Sequence, residues 1–137
     1  EGLKPSELTV FKYETEGVAT LEDGLYVLEE NLKDAAFKDK MVRFVRASMK
    51  GWKYAEQNPG EAAEIVVDND DSGAQTVEHN TTQMGEIIKL TAGSNGALDP
   101  ADYQRTVDSL MTGGSDPVIT KMPEGAWTHE ITDLALK

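Results

Sequence analysis

The stretch Phe37–Asp68 constrains the fold more than any other part of this chain, because it joins a long amphipathic helix to a second helix with its own start signal. Phe37, Met41, Phe44, Val45, Trp52 and Ala55 recur at the three-and-four spacing that gathers apolar side chains on one helical face. Lys38, Lys40, Arg43, Arg46, Lys50 and Lys53 largely occupy the other faces. This pattern predicts one long helix with a buried stripe, Trp52 included. Asn58-Pro59-Gly60-Glu61 then restarts the chain. Asn58 suits the N-cap, Pro59 the first helical position, where a missing N–H costs nothing, and Glu61 the far side of a capping box. A second helix is expected from Pro59 to about Val67.

The remaining elements follow from the same rules. Leu8-Thr9-Val10-Phe11-Lys12-Tyr13 is rich in β-branched and aromatic residues and reads as a strand, with a second short strand at Gly24–Leu28. Between them, Glu14–Asp23, which carries Gly17, reads as an acidic connection able to bend. Asp68–Gly73 is polar and reads as a loop. A third helix fits Thr76–Thr91, with a stripe of Val77, Thr81, Met84, Ile88 and Thr91 flanked by Ile87, and Gly93–Gly96 stops it. Asp99 and Pro100 open a fourth helix through Tyr103, Val107, Leu110 and Met111 to Gly113-Gly114. A short closing helix is expected near Thr128–Leu136, with Ile131 and Leu134 inward. The whole reads as a mostly helical α/β chain of about five helices with two or three short strands, organised as a single domain over residues 1–137. There is no internal repeat and no low-complexity tract.

Composition bounds the function classes. A chain of 137 residues folding alone is expected to bury about two thirds of its unfolded surface, enough for one core. With 25 acidic against 13 basic residues, the net charge of −12 opposes a phosphate backbone and gives no broad attraction to anionic membranes, so nucleic acid is not an expected partner. The absence of cysteine removes a disulfide framework, a thiolate nucleophile and a Cys-based zinc site. No stretch approaches the roughly 20 apolar residues that cross a bilayer.

Catalytic machinery is not visible. Asp68-Asn69-Asp70-Asp71-Ser72-Gly73 resembles the opening of an EF-hand loop, but position twelve is His79, which cannot supply the bidentate carboxylate, so the loop reads as structural. His79 and His129 belong to no metal-ligand spacing, and none of Ser6, Ser48, Ser72, Ser94, Ser109 or Ser115 lies in a GxSxG elbow. Gly93-Ser94-Asn95-Gly96 lacks the lysine and hydroxyl of a phosphate-binding loop. The sequence predicts no catalytic residue, no metal ligand and no cofactor.

One resemblance carries more. Phe44, Arg46, Ala47, Lys50, Gly51, Trp52, Tyr54, Ala55, Asn58, Pro59, Glu61, Ala62 and Ala63 form a pattern that resembles the NMT1/THI5-like family of periplasmic binding proteins. Two later segments continue it, Gly96-Ala97-Leu98-Asp99-Pro100-Ala101-Asp102-Tyr103-Gln104-Arg105-Thr106 and Pro123-Glu124-Gly125-Ala126-Trp127-Thr128-His129. The resemblance implies the C-terminal portion of a type II periplasmic-binding-protein fold, whose members have two lobes and are longer than this chain. It implies that residues 8–24 are a hinge-proximal strand and connection. It further implies a solute-binding component of an ABC importer, taking a small molecule of the thiamine-pyrimidine, sulfonate or nitrate class between two lobes and docking on a membrane permease. A periplasmic or lipid-anchored extracellular location follows from the resemblance alone, as does a homodimer through the face left by an absent N-terminal part.

Within that frame, a solute site needs an aromatic face and a few oriented polar groups at a lobe boundary. Tyr13, Glu14, Glu16 and Gly17 fit, with Tyr13 stacking or hydrogen-bonding and Glu16 accepting from ligand N–H groups; Glu22 and Asp23 are weaker candidates on the same connection. The same residues also read as a strand end followed by an acidic surface turn. Trp127, after the loop Pro123–Ala126, is a candidate to close over a ligand, and equally reads as a core anchor at the start of the terminal helix. Two other classes stay open: a stand-alone helical interaction module, and the family branch that makes the thiamine pyrimidine, which carries a cysteine-rich motif that this chain does not contain.

Overall fold

Five helices form close to the stretches that the sequence pattern marks. In the computed structural model, which describes residues 3–137, α1 runs over Ala35–Gln57, α2 over Pro59–Asp68, α3 over Val77–Thr91, α4 over Pro100–Thr112 and α5 over Glu130–Ala135. Side-chain caps start three of them. Asp34 accepts from the Ala36 N–H at 2.9 Å, Thr76 from the His79 N–H at 3.2 Å and Asp99 from the Ala101 N–H at 2.7 Å. Each fills a backbone donor that the first helical turn leaves unpaired. Short 3-10 turns at Pro5–Glu7 and Glu29–Lys33 complete the regular structure.

The fold is mostly helical, and the expected strands do not form: among the described residues none is in a strand. Leu8–Phe11 and Gly24–Leu28 have the composition of strands, but a strand is stable only when a neighbouring chain completes its ladder, and no neighbour is there. Tyr13 opens a helical turn instead.

Two compact units are present. One comprises the residues up to Tyr26 with Leu98–Thr128, and the other comprises Val27–Ala97 with His129–Lys137. The first is organised on α4, whose Val107 is only 2 % exposed, with Tyr103, Leu110 and Met111 half-buried beside it. The second holds the other four helices: α3 packs on α2, and α5 on α1, with lesser contacts of α1 to α2, to α3 and to the Glu29–Lys33 turn.

Ala62 and Ala63 of α2, Ala135 of α5 and Asn80 of α3 are the buried residues of that second unit. Small side chains at these points let helix axes approach closely. Two sequence expectations fail here. Trp52 is 51 % exposed and Phe44 54 %, although both lie on the predicted stripe. For Trp52, which lies beyond Arg46 where the α5 contact ends, the reason is length: a 23-residue helix extends about 35 Å, whereas the six residues of α5 cover about 9 Å of it. In α5 it is Ala135 that is buried, while Leu134 is exposed and Ile131 half-buried.

The α1–α2 junction also departs from expectation. Asn58 ends α1 and starts α2, yet its side chain makes no N-cap bond. Its Nδ2 donates backward to the Tyr54 carbonyl at 2.9 Å, and Glu61 accepts from the Tyr54 hydroxyl at 2.6 Å. Tyr54 thus diverts both partners of the expected capping box to closing the last turn of α1. The Tyr54 phenol is held above its ordinary pKa, chiefly because its proton is shared with the Glu61 carboxylate.

Candidate functional site

All five sequence-selected residues, Tyr13, Glu14, Glu16, Gly17 and Trp127, fall in the α4 unit. The first four form one turn of helix and not a strand end. The N–H groups of Thr15 and Glu16 both donate to the Lys12 carbonyl, at 2.9 and 3.1 Å, and the Val18 N–H donates to the Tyr13 carbonyl at 3.0 Å. The last of these is the six-to-one bond of a Schellman ending. It requires a left-handed residue just before its donor, which Gly17 provides at φ +74°. The Thr15 hydroxyl adds a bond to the Lys12 carbonyl at 2.8 Å.

This turn presents its side chains outward. Tyr13 is 64 % exposed, and Glu14 and Glu16 are exposed without an ion pair among the described residues. Their carboxylates are therefore open acceptors beside an open aromatic face, a combination suited to an N–H-bearing solute.

Two residues not singled out as site residues hold the connection behind the turn. On α4, the Arg105 guanidinium donates to the Ala19 carbonyl at 2.8 Å and to the Asp102 carboxylate at 2.7 Å. The Thr106 hydroxyl donates to the Asp102 carbonyl at 2.9 Å and accepts from the Leu21 N–H at 2.9 Å. The bonds to Leu21 and Ala19 span 85 and 86 residues of sequence, so no local signal predicts them. They tie Ala19 and Leu21, which follow the Tyr13–Gly17 turn, to a rigid helix.

Trp127 pairs with α4. It precedes α5 rather than starting it, is 39 % exposed, and its ring lies 6.0 Å from that of Tyr103 on α4 at an interplanar angle of 58°. That tilted pairing anchors the loop before α5 to α4. No ring contact among the described residues joins Trp127 to Tyr13.

The acidic loop after α2 is structural in its geometry. Asp70 accepts from the N–H and hydroxyl of Ser72, at 2.9 and 2.6 Å, and from the Gln75 N–H at 2.9 Å. The Ser72 hydroxyl first, then the backbone N–H groups of Gln75 and Ser72, hold its carboxyl below the usual carboxylate range. Among the described residues no cluster of three or more His, Cys, Asp or Glu side chains is placed to hold a metal ion, and no helix is long and apolar enough to cross a membrane.

Comparison with known proteins adds one observation. Over residues 2–62 the chain matches the family model described as NMT1/THI5 like. The NMT1/THI5-like stretch contains the Tyr13–Gly17 turn, all of α1 and the start of α2 through Ala62, so it includes nearly all of the Phe44–Ala63 pattern. The two later segments of the resemblance, Gly96–Thr106 and Pro123–His129, lie outside it. No curated protein and no solved structure matches the chain.

Proposed function

We propose that this chain is part of the solute-binding component of an ABC importer, with the Tyr13–Gly17 turn contributing to one wall of the solute site. The observation that carries the reading is the NMT1/THI5-like match over residues 2–62, which contains that turn. The chemistry agrees with it. An exposed phenol ring and two open carboxylates, held by a glycine-closed turn, suit an amine, an aminopyrimidine or another N–H donor better than an anion such as nitrate or a sulfonate. In this reading Tyr13 stacks on the solute, Glu16 and Glu14 accept its N–H groups, and Gly17 fixes the turn; Trp127 steadies the neighbouring loop through Tyr103.

The mechanism needs no covalent step, so the protein acts as a carrier and not as an enzyme. Solute contacts made from two walls favour a closed state, and the closed state is what a membrane permease recognises, on the periplasmic or outer face of a cell membrane. A single wall supplies only part of the contact energy, and weak binding by these 137 residues alone is the expectation.

The test starts from source-cell extract, where an antibody to this chain captures the native protein for mass measurement and thermal-shift assays with an aminopyrimidine, taurine and nitrate. The reading expects a species well above 15.0 kDa that an aminopyrimidine stabilises, with the effect lost in Tyr13→Ala and Glu16→Gln versions. A native species stabilised by none of the three solutes would overturn it.

A second reading, an interaction module, is favoured by one feature. Leu8, Val10, Phe11, Leu25, Tyr26 and Leu28 are all more than half exposed along a segment without strand partners. Such a segment is a template for pairing with another chain, including a second copy. Sedimentation of the purified chain over a range of concentrations tests it, and a strictly monomeric protein would dismiss it.

A further inference from the structure

A groove between α2 and α3 is lined by residues of both helices and of the loop between them. It has a volume of about 450 Å³, and its lining combines the apolar Val66, Met84 and Ile87 with the carboxamides of Gln75, Asn80 and Gln83. Asn80 is the informative member, because it is a polar side chain only 7 % exposed. Its Nδ2 donates to the Thr76 carbonyl at 3.0 Å and to Gln75 Oε1 at 2.9 Å. A backbone carbonyl can only accept, so the orientation of the Asn80 amide is fixed and both of its N–H groups are used.

That leaves Asn80 Oδ1 with no protein donor among the described residues. No fully buried side-chain oxygen or nitrogen among the described residues lacks a partner, so this oxygen keeps some exposure, on a residue that lines the groove. Gln75 gives its oxygen to Asn80 and keeps its N–H groups free to donate, and Gln83 has no protein partner among the described residues. Asn69 Nδ2 is engaged with the Ile65 carbonyl at 2.8 Å, which leaves its oxygen as a further acceptor at the rim. The one charged group, Asp70, already accepts from Ser72 and Gln75. The groove therefore offers adjacent acceptors and donors with no positive charge, above an aliphatic floor.

We propose that the α2–α3 groove binds a small neutral carboxamide, whose N–H groups donate to Asn80 Oδ1, whose carbonyl accepts from the Gln83 amide, and whose aliphatic end rests on Val66, Met84 and Ile87. A carboxamide matches this set because it carries both kinds of group side by side. A carboxylate of the same shape offers acceptors only, and would leave Asn80 Oδ1 unpaired with a like charge nearby at Asp70. The carboxamide has two possible sources, a free solute or the glutamine side chain of a peptide.

The probes are isobutyramide, isobutyrate and the blocked tripeptide acetyl-Ala-Gln-Ala-methylamide, titrated into the uniformly ¹⁵N-labelled 137-residue protein and followed by the side-chain amide signals of Gln75, Asn80 and Gln83. Saturable shifts of these signals with isobutyramide and none with isobutyrate are expected. Saturation by the tripeptide at a lower concentration than isobutyramide assigns the site to peptides, and the reverse assigns it to free solutes. Gln83→Ala, an exposed position on α3 that leaves the helix intact, is expected to weaken binding roughly threefold or more, the loss of one hydrogen bond. Equal shifts with isobutyrate, non-saturating shifts, or no effect of Gln83→Ala overturn the proposal.

Discussion

Replacing Arg46 by Ala should detach α5 from α1 without melting α1. α5 is six residues long, far below the length at which an isolated helix holds in water, so its structure depends on what it docks against. Two basic side chains of α1 clamp its ends. Lys38 pairs with Glu130 in the first turn, while Arg46 donates to the Leu134 carbonyl at 3.1 Å and to the Ala135 carbonyl at 3.3 Å. Lys38 and Arg46 are eight residues apart, about 12 Å along α1, which suits the roughly 9 Å of α5 between them. Glu130 at the start of α5 and Arg46 at its end also complement the helix dipole. The Arg46 bonds are charge-assisted but partly open to water, so together they contribute about 1–2 kcal/mol. For a chain of this size that corresponds to a fall in Tm of about 3–8 °C. The sharper readout is hydrogen exchange at the amides of Asp133 and Leu136, which donate to His129 and Thr132 carbonyls within α5. Arg46→Ala should accelerate exchange there while leaving the middle of α1 protected, and Arg46→Lys, which cannot fork to two carbonyls, should fall between. Unchanged protection at Asp133 and Leu136 in Arg46→Ala would refute the clamp.

Two glycine substitutions separate backbone strain from collision. Both Gly17 and Gly96 have positive φ, +74° and +80°, but a Cβ at Gly17 meets nothing within 4 Å, whereas one at Gly96 would lie 2.5 Å from the Met49 sulfur. Gly17→Ala should cost about 1 kcal/mol by chemical denaturation, and Gly96→Ala should cost more, with partial rescue by Met49→Ala; equal costs would contradict the distinction. Acidification should loosen the loop Asp70–Gln75: the carboxyl pKa is lower folded than unfolded, so its contribution is full above about pH 4 and disappears as pH falls through the folded value. Amide exchange of Ser72 and Gln75 measured down that range checks it, with Asp70→Asn as the comparison. The opposite sign applies to Tyr54, whose raised pKa means that its bond to Glu61 contributes below about pH 10 and is lost as pH rises through the folded value. Ultraviolet titration should show one late tyrosine that returns toward the ordinary value in Glu61→Gln.

Some of the site was legible before the fold was known. Tyr13, Glu14, Glu16 and Gly17 are adjacent in sequence, so they had to be neighbours in space, and Gly17 falls in a connection that reads as able to bend. Their backbone was not legible: six residues of strand-like composition predict a strand only when a partner is available, and here the chain turns at Tyr13 instead. The support from Arg105 and Thr106 was invisible because its partners lie 85 or more residues away. Trp127 illustrates the same limit, since its pairing with Tyr103 depends on where two distant loops and a helix converge.

The helices are the part that the sequence determined by itself. Asp34, Thr76 and Asp99 cap the first turn with their own side chains, Pro59 and Pro100 occupy first positions, and these local bonds act over two or three residues whatever lies further away. Tertiary structure decided which faces are covered. Periodicity marks Trp52 as a buried position, but burial is a property of two surfaces, and at 51 % exposed it has too little of a second one. It decided the Asn58 cap as well, where Tyr54 competes successfully for both Asn58 and Glu61. The Asn80 amide was settled in the same way. Its sequence neighbours made it part of a helix, and only the packing of α3 on α2 made it part of a groove lining.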